Sequence, residues 1–438
     1  MPSMNRALSL RLPLVILTLA LAGCASGEPV PEAAAGAGGD RLAGIWRAVL
    51  LSPGGDLPFR LEITASEGGY SAVAITGEEQ MAFSHVELKG DRVILAFDWY
   101  DSQIEARLGA GDRMSGSWQK TVPDGVSTLD FVATRGDRRR FLPIEESASP
   151  ASVAGVTVAD VTGSWRVEFT DEDGSEVAQG EFKQQGTRVE GTFLTPTGDY
   201  RFLEGSFENQ LLRLSTFDGG HAFLFHARAQ QDGSLIGDFW SRDSYHATWT
   251  AERATDDETI LPDAWQLAGL TNDEGRFRFA FDDLEGHPVA SSDQRFAGKV
   301  VIANIFGSWC PNCNDKGPLL AEWDRRYRDR GLEIVGLAYE FSGDVERDRR
   351  YVRKFAERHG IEFPLLLAGI SDKTAAAETL PDLTAVIAFP TSVFIGRDGK
   401  VRRVHSGFNG PGTGDHYDQL VAELEAVIEE LLAETAPA

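Results

Sequence analysis

The stretch that most constrains this chain runs from Lys299 to Cys313. An apolar segment, Lys299-Val-Val-Ile-Ala-Asn-Ile-Phe-Gly-Ser308, leads directly into Trp309-Cys310-Pro311-Asn312-Cys313, and a helical stretch follows. A continuous apolar run of this kind reads as a strand buried on both faces of a parallel sheet. Feeding a helix, it leaves the two cysteines at the helix N-terminus. Partial positive charge there stabilises a thiolate on the first cysteine, and the second lies one turn along, near enough to close a disulfide. The pair reads as a dithiol/disulfide exchange unit.

The surrounding pattern supports a βαβ sheet from residue 275 onward. Strands are expected at 299–306, 333–339, 363–368, 392–396 and 401–405, and helices at 314–330, 344–359 and 415–434. A short helix is expected within 372–388. Asp344 suits a helix N-cap, Gly360 a residue just past a helix end, and Arg397-Asp398-Gly399-Lys400 a tight hairpin turn.

Upstream the periodicity changes. From residue 40, short alternating strands are punctuated by Pro53-Gly-Gly-Asp, Glu67-Gly-Gly and Lys89-Gly-Asp. That spacing indicates antiparallel barrels or sandwiches. Gly44-Ile-Trp46-Arg47 returns as Gly163-Ser-Trp165-Arg166, 119 residues on, and each unit nears its end with glycine and aromatics, at Gly116-Ser-Trp118 and Gly237-Asp-Phe-Trp240. Two copies of one all-β unit are therefore expected, at 41–137 and 158–253, in series. Their aromatics are expected in the cores. Residues 138–157 and 254–274 read as linkers.

At 438 residues the chain has room for several domains, and its formal net charge of −25 argues against nucleic acid, whose phosphates need Lys and Arg. Only three cysteines are present. Cys24 closes Leu21-Ala22-Gly23-Cys24, after Arg6, Arg11 and an apolar run from Leu12 to Ala22 that is too short to span a bilayer. This has the form of a signal peptide over 1–23, and Leu-Ala-Gly-Cys resembles the bacterial lipobox. The resemblance implies cleavage before Cys24, lipidation of its sulfur and anchoring to a membrane. Ala25 at the next position implies outer-membrane rather than inner-membrane sorting. The alternative is an ordinary secretory signal cut nearby. Residues 24–40 read as a tether, and the compartment as the periplasm, where disulfide chemistry persists.

Half of a zinc site is the competing reading of the cysteine pair. Zinc needs four ligands and no second pair exists, although His287, His359 and His405 could contribute through the fold, so no metal is expected. Ala388-Phe389-Pro390-Thr391 stands before the strand Ser392-Val-Phe-Ile395, with Pro390 80 residues after Cys310. A proline opening a strand is tolerated there, and it can also be a cis-proline facing the cysteines. The loop Asn409-Gly-Pro-Gly-Thr-Gly-Asp415 invites a phosphate-binding reading, but it lacks a Walker lysine, and a turn into the last helix fits better. His221 and His226 lie on opposite faces of a strand-like run and cannot share one metal.

Gly-Lys-Val-Val before the strand, Gly307-Ser-Trp-Cys-Pro-Asn-Cys313, Pro318, Phe389-Pro390-Thr391 and the late Arg403-Val-His-Ser-Gly-Phe-Asn-Gly-Pro-Gly resemble the TlpA/ResA-type thioredoxin family of disulfide reductases. The resemblance covers residues 275–434, a third of the chain. It implies a thioredoxin-like α/β domain after the β units, with Cys310 as nucleophile and Cys313 as resolving thiol. It also implies a cis Pro390, with the backbone of Phe389 pairing with substrate beside Trp309 and Pro311, and a helix-kinking Pro318. No cofactor is implied beyond the redox-active Cys310–Cys313 disulfide. The implied partners are protein thiol/disulfide clients and a membrane thiol donor of the DsbD/CcdA kind.

Two positions depart from the family. Asn304 stands where thioredoxins carry a buried Asp, and Lys316 where ResA-like proteins carry Glu. Glu340, at the end of the strand beginning near Glu333, is the candidate replacement acid, against a solvated strand-end residue. Lys316, in the first helical turn, is placed to favour the Cys310 thiolate by charge. Two other functions compete. One is a client-binding or chaperone lipoprotein in which the β units dominate. The other is a peroxiredoxin-like peroxidase, disfavoured because Gly307 occupies the position of the threonine such enzymes use.

Overall fold

The alternation of apolar and polar residues after residue 40 folds as two antiparallel meanders in a computed structural model, which describes residues 40–123, 125–143, 158–255 and 257–435. The expected signal peptide and the lipidation site Cys24 lie outside the described residues.

The two meanders repeat strand for strand. Gly44–Ser52, Gly55–Ser66 and Gly69–Thr76 of the first correspond to Gly163–Asp171, Gly174–Gln185 and Arg188–Thr195 of the second. The first hairpin of each turns on a glycine at positive φ, Gly55 at 116° and Gly174 at 140°, a conformation that penalises any side chain. In each unit the opening strand pairs with both the second strand and the last.

The units differ in closure. In the second, Arg188–Thr195 pairs with Gly174–Gln185 on one side and Leu203–Glu208 on the other, closing a barrel around Phe169, Phe193, Phe225, Phe239 and Trp249. In the first, no ladder joins Gly69–Thr76 to His85–Lys89, so that barrel has an open seam.

The two expected units are present, but their cores are not separate. Phe217 of the second unit is buried in the core of the first, 4.4 Å from the Phe59 ring and 5.6 Å from that of Trp118. The segment after the first unit is not a free linker where it is described. Arg140 donates to the carbonyls of Ile75 (3.2 Å) and Ser215 (2.7 Å) and pairs with Glu204 at 3.2 Å, binding the units together.

The C-terminal third is an α/β layer. Its elements are β1 (Ala280–Asp283), β2 (Pro288–Ala290), β3 (Val300–Phe306), α1 (Pro311–Tyr327), β4 (Leu332–Glu340), α2 (Val345–His359), β5 (Leu365–Ile370), α3 (Lys373–Thr379), β6 (Thr391–Ile395), β7 (Val401–Ser406) and α4 (Asp415–Ala433). The sheet order is β2-β1-β5-β4-β3-β6-β7. β3, β4 and β5 are parallel, and β6 and β7 turn back antiparallel. All seven residues of β3 are buried, as a central parallel strand requires.

Residues 257–274, within the expected linker at 254–274, also behave differently from a linker. Leu270 bridges Leu383, the Ser406 N–H donates to the Ala264 carbonyl, and Trp265 packs on His405 at 4.6 Å. This segment straps the edge of the α/β layer. Its sequence shows no period because single bridges and side-chain caps, rather than a ladder, hold it.

Candidate functional site

The site begins where β3 ends. The Cys310 N–H donates to the Gly307 carbonyl at 3.1 Å, forming a tight turn. Only glycine fits at 307, since a Cβ there would stand 2.1 Å from the Trp309 indole nitrogen. That indole folds back over the turn, donates to the Tyr339 carbonyl at 2.8 Å and stacks on Phe341 at 4.7 Å.

Cys310 is the N-cap of α1, and its Sγ accepts from the Cys313 N–H at 3.4 Å. The helix therefore starts at Pro311, three residues before the expected 314. Proline at the first helical position suits this start, because its missing N–H would have had no partner there. The helix ends at Tyr327, and Arg328–Arg330 continue it as a 3-10 turn.

Both cysteines are unbridged thiols, with Cys310 5% and Cys313 1% exposed. The Cys310 thiol donates to the Phe389 carbonyl at 3.2 Å, and the Phe389–Pro390 peptide is cis. Trp309 meets Phe389 edge to face at 5.8 Å. Trp309, Cys310, Pro311, Phe389 and Pro390, singled out from the sequence, thus lie together. Burial and the neighbouring Cys310 push the Cys313 thiol well above its ordinary pKa.

Glu340 lies beside the same turn, 4% exposed at the end of β4. Its Oε1 accepts from the Ser308 N–H at 2.7 Å, and its Oε2 shares a hydrogen bond with Ser308 Oγ at 2.7 Å. Burial pushes its carboxyl up to about 8, so it is neutral at pH 7. Both oxygens engage Ser308, ahead of Cys310.

Behind Cys313 lies a second polar group. Lys316 is 1% exposed, and its Nζ donates to Ser392 Oγ at 2.8 Å. That hydroxyl donates to Asn304 Oδ1 at 3.0 Å. Burial pushes the Lys316 ammonium down to about 7, and its electrostatic partner is Cys313, rather than the Cys310 expected from sequence. Asn314, which sequence reasoning passed over, ties the motif down. Its Nδ2 donates to the carbonyls of Ser308 (2.9 Å) and Cys310 (3.0 Å), and its Oδ1 pairs with His359 Nε2 at 3.0 Å. Among the described residues no three His, Cys, Asp or Glu side chains group to hold a metal ion.

The β units sit on this face. Asn312 Nδ2 donates to Asp199 Oδ2 at 2.9 Å and to the Phe408 carbonyl at 2.9 Å. Asp199 also accepts from the Gly410 N–H at 2.6 Å. Arg201, 4% exposed, pairs with Asp315 of α1, with Asp218 at 2.9 Å and with Glu79 of the first unit. Gly220 approaches so closely that a Cβ there would stand 3.0 Å from the Pro311 ring. The first unit adds Asp101 on Arg347 at 2.9 Å and Trp99 beneath the Arg358 guanidinium at 3.6 Å. This cover was not visible in the sequence, since the β units and the motif they touch are far apart along the chain and share no motif.

Residues 272–421 match the family model described as Redoxin. The thiol-disulfide oxidoreductase ResA of Bacillus thuringiensis subsp. konkukian is 32% identical over 123 residues, 28% of this chain and 62% of that protein. ResA of Geobacillus kaustophilus is 32% identical over 129 residues, 30% of this chain and 66% of that protein. The chain thus spans a little under two thirds of the length of these relatives. A solved structure, a putative thiol:disulfide interchange protein DsbE from Chlorobium tepidum, is 24% identical over 36% of this chain and 97% of that chain, with a TM-score of 0.29.

Proposed function

We propose that this chain, whose C-terminal third is a thioredoxin-like domain of the TlpA/ResA type, is a thiol–disulfide oxidoreductase working through Cys310 and Cys313. The observation that carries the proposal is the placement of Cys310. It caps α1, and its sulfur lies 3.2 Å from the carbonyl of Phe389, before cis-Pro390.

In the proposed reaction the Cys310 thiolate attacks one sulfur of a client disulfide, forming a mixed disulfide and releasing a client thiolate. Cys313 then attacks Cys310 Sγ, which closes the Cys310–Cys313 disulfide and releases the second client thiol. The client gains two electrons, and the enzyme is oxidised. Trp309, Pro311 and Phe389 form the surface on which the client strand lies. No cofactor beyond the cysteine pair takes part.

Within this reading the clients are periplasmic proteins, and a membrane thiol donor of the DsbD/CcdA kind returns the dithiol. Cys24 anchors the chain by lipid, to the outer membrane in keeping with Ala25. Insulin reduction tests the assignment: Cys310→Ser should abolish it, and retained activity overturns it. Direction is tested by redox titration against glutathione. Potentials of such pairs span about −270 to −120 mV, and a value at the oxidising end would replace reductase with oxidase.

A second reading, in which the β units bind the client, draws on the contacts of Asp199, Arg201 and Gly220 with the motif. Trapping clients with Cys313→Ala and mapping their cross-links would separate the two. Contacts confined to the α/β layer favour the plain exchanger.

A further inference from the structure

The exchange reaction needs a proton acceptor that the family's usual acids do not supply here. Cys313 must lose its proton before it attacks the mixed disulfide, and its thiol is buried beside Cys310 and held protonated. Asn304 cannot titrate. Glu340 spends both oxygens on Ser308.

Lys316 stands three residues after Cys313 on α1, so the two side chains are neighbours on one helix face. It is as deeply buried as Cys313. Among the described residues no carboxylate lies within ion-pair distance of it, and its one hydrogen-bond partner is the Ser392 hydroxyl, which is itself fixed by Asn304. A buried ammonium without a counter-ion is costly, whereas a neutral amine can donate to Ser392 and keep its lone pair free. The other groups facing it are the Phe408 ring, at 5.7 Å, and His405, which burial pushes down to about 3 and keeps neutral. Lys316 itself is pushed down to about 7, the range suited to a base at neutral pH.

We propose that Lys316 is the base for the resolving step, taking the Cys313 proton as the mixed disulfide is cleaved. The inference rests on the exchange reading above. The neutral amine accepts the proton from Cys313 S–H. The new thiolate attacks Cys310 Sγ, the Cys310–client S–S bond breaks, and its electron pair leaves on the client sulfur. The Lys316 ammonium, now beside a neutral disulfide, gives up its proton as the departing client thiolate takes one up. Ser392 and Asn304 are positioning residues that aim the amine.

The test uses the reduced full chain and 5,5′-dithiobis(2-nitrobenzoate) in stopped flow. Attack by Cys310 releases one thionitrobenzoate and resolution by Cys313 releases the second, so the steps separate in time. In the native chain the second phase should accelerate as pH rises through neutrality and then level off. Lys316→Met should slow the second phase at pH 7 by at least about tenfold and move its rise to alkaline pH, leaving the first phase within about twofold. Lys316→Gln, which can still donate to Ser392 but cannot take the proton, should behave in the same way and covers the case in which methionine is not accommodated. An unchanged second phase and pH profile in either folded variant overturns the proposal and leaves the exchange reading intact. Absence of the first phase in the native chain overturns the exchange reading itself.

Discussion

Asn312, the residue between Pro311 and Cys313, donates its amide hydrogen to Asp199 of the second β unit at 2.9 Å. The middle of the Cys-x-x-Cys motif is therefore held by a different part of the chain, which bears on how the thiols are reached.

Weakening this grip should expose Cys310. A hydrogen bond to a charged group contributes about 1.5–3 kcal/mol, so Asp199→Ala should raise the rate of Cys310 alkylation by iodoacetamide at least about tenfold. Gly198→Val should act in the same direction, because a Cβ there would stand 2.7 Å from the Asn312 amide. Mass-spectrometric alkylation kinetics provide the check. Rates equal to those of the native chain would mean the cover does not limit access.

Arg201 is surrounded by Glu79, Asp218 and Asp315, all of them buried with it or nearly so. Removing the cation leaves uncompensated negative charge, so Arg201→Met should lower unfolding free energy by about 3–5 kcal/mol, read from urea midpoints. A loss below about 1 kcal/mol would show that the acids take up protons or water cheaply.

Glu340 and Asp199 predict the pH dependence of stability. Burial raises their carboxyls to about 8 and about 6 in the folded chain, above their ordinary values of 4.5 and 3.8. The folded state binds protons that the unfolded state has released, so each contribution is full below the ordinary carboxylate range and is lost as pH climbs through the folded value. Buried neutral histidines such as His405 act in the opposite direction up to their ordinary range, so the carboxyl contribution is read from the difference between chains: the urea midpoint of Glu340→Gln should gain on that of the native chain as pH rises from 5 to 8. A constant difference over this interval contradicts the assignment.

Phe217→Ala should cost about 3–5 kcal/mol, the usual penalty for emptying a buried aromatic position. The ring lies against Phe59 and Trp118, so the loss should be seen by tryptophan fluorescence of the first unit although the substitution is in the second. A loss confined to signals from the second unit would contradict the shared core.

The α/β layer was legible because its strands are continuous apolar runs with helical periods between them. The run at 299–306 is a strand at Val300–Phe306, and the one at 333–339 a strand at Leu332–Glu340. The duplication was legible from Trp46 and Trp165. The start of α1 was misjudged because a cysteine sulfur, an unusual cap, holds it. The strap at 257–274 and the linking Arg140 were read as linker because isolated bonds leave no period. The surroundings of Cys313 were half legible: sequence named Lys316 and Asn304, but their link through Ser392 depends on β3 and β6 lying side by side.

A duplication begins as two interchangeable halves, and Phe217 has made these halves unequal. The second ring closes on itself, whereas the first has an open seam and borrows an aromatic plug from its neighbour. Deleting the second half would leave a hole in the first. The repeat visible in the sequence is therefore not a unit of excision. The first half needs the second to complete its core.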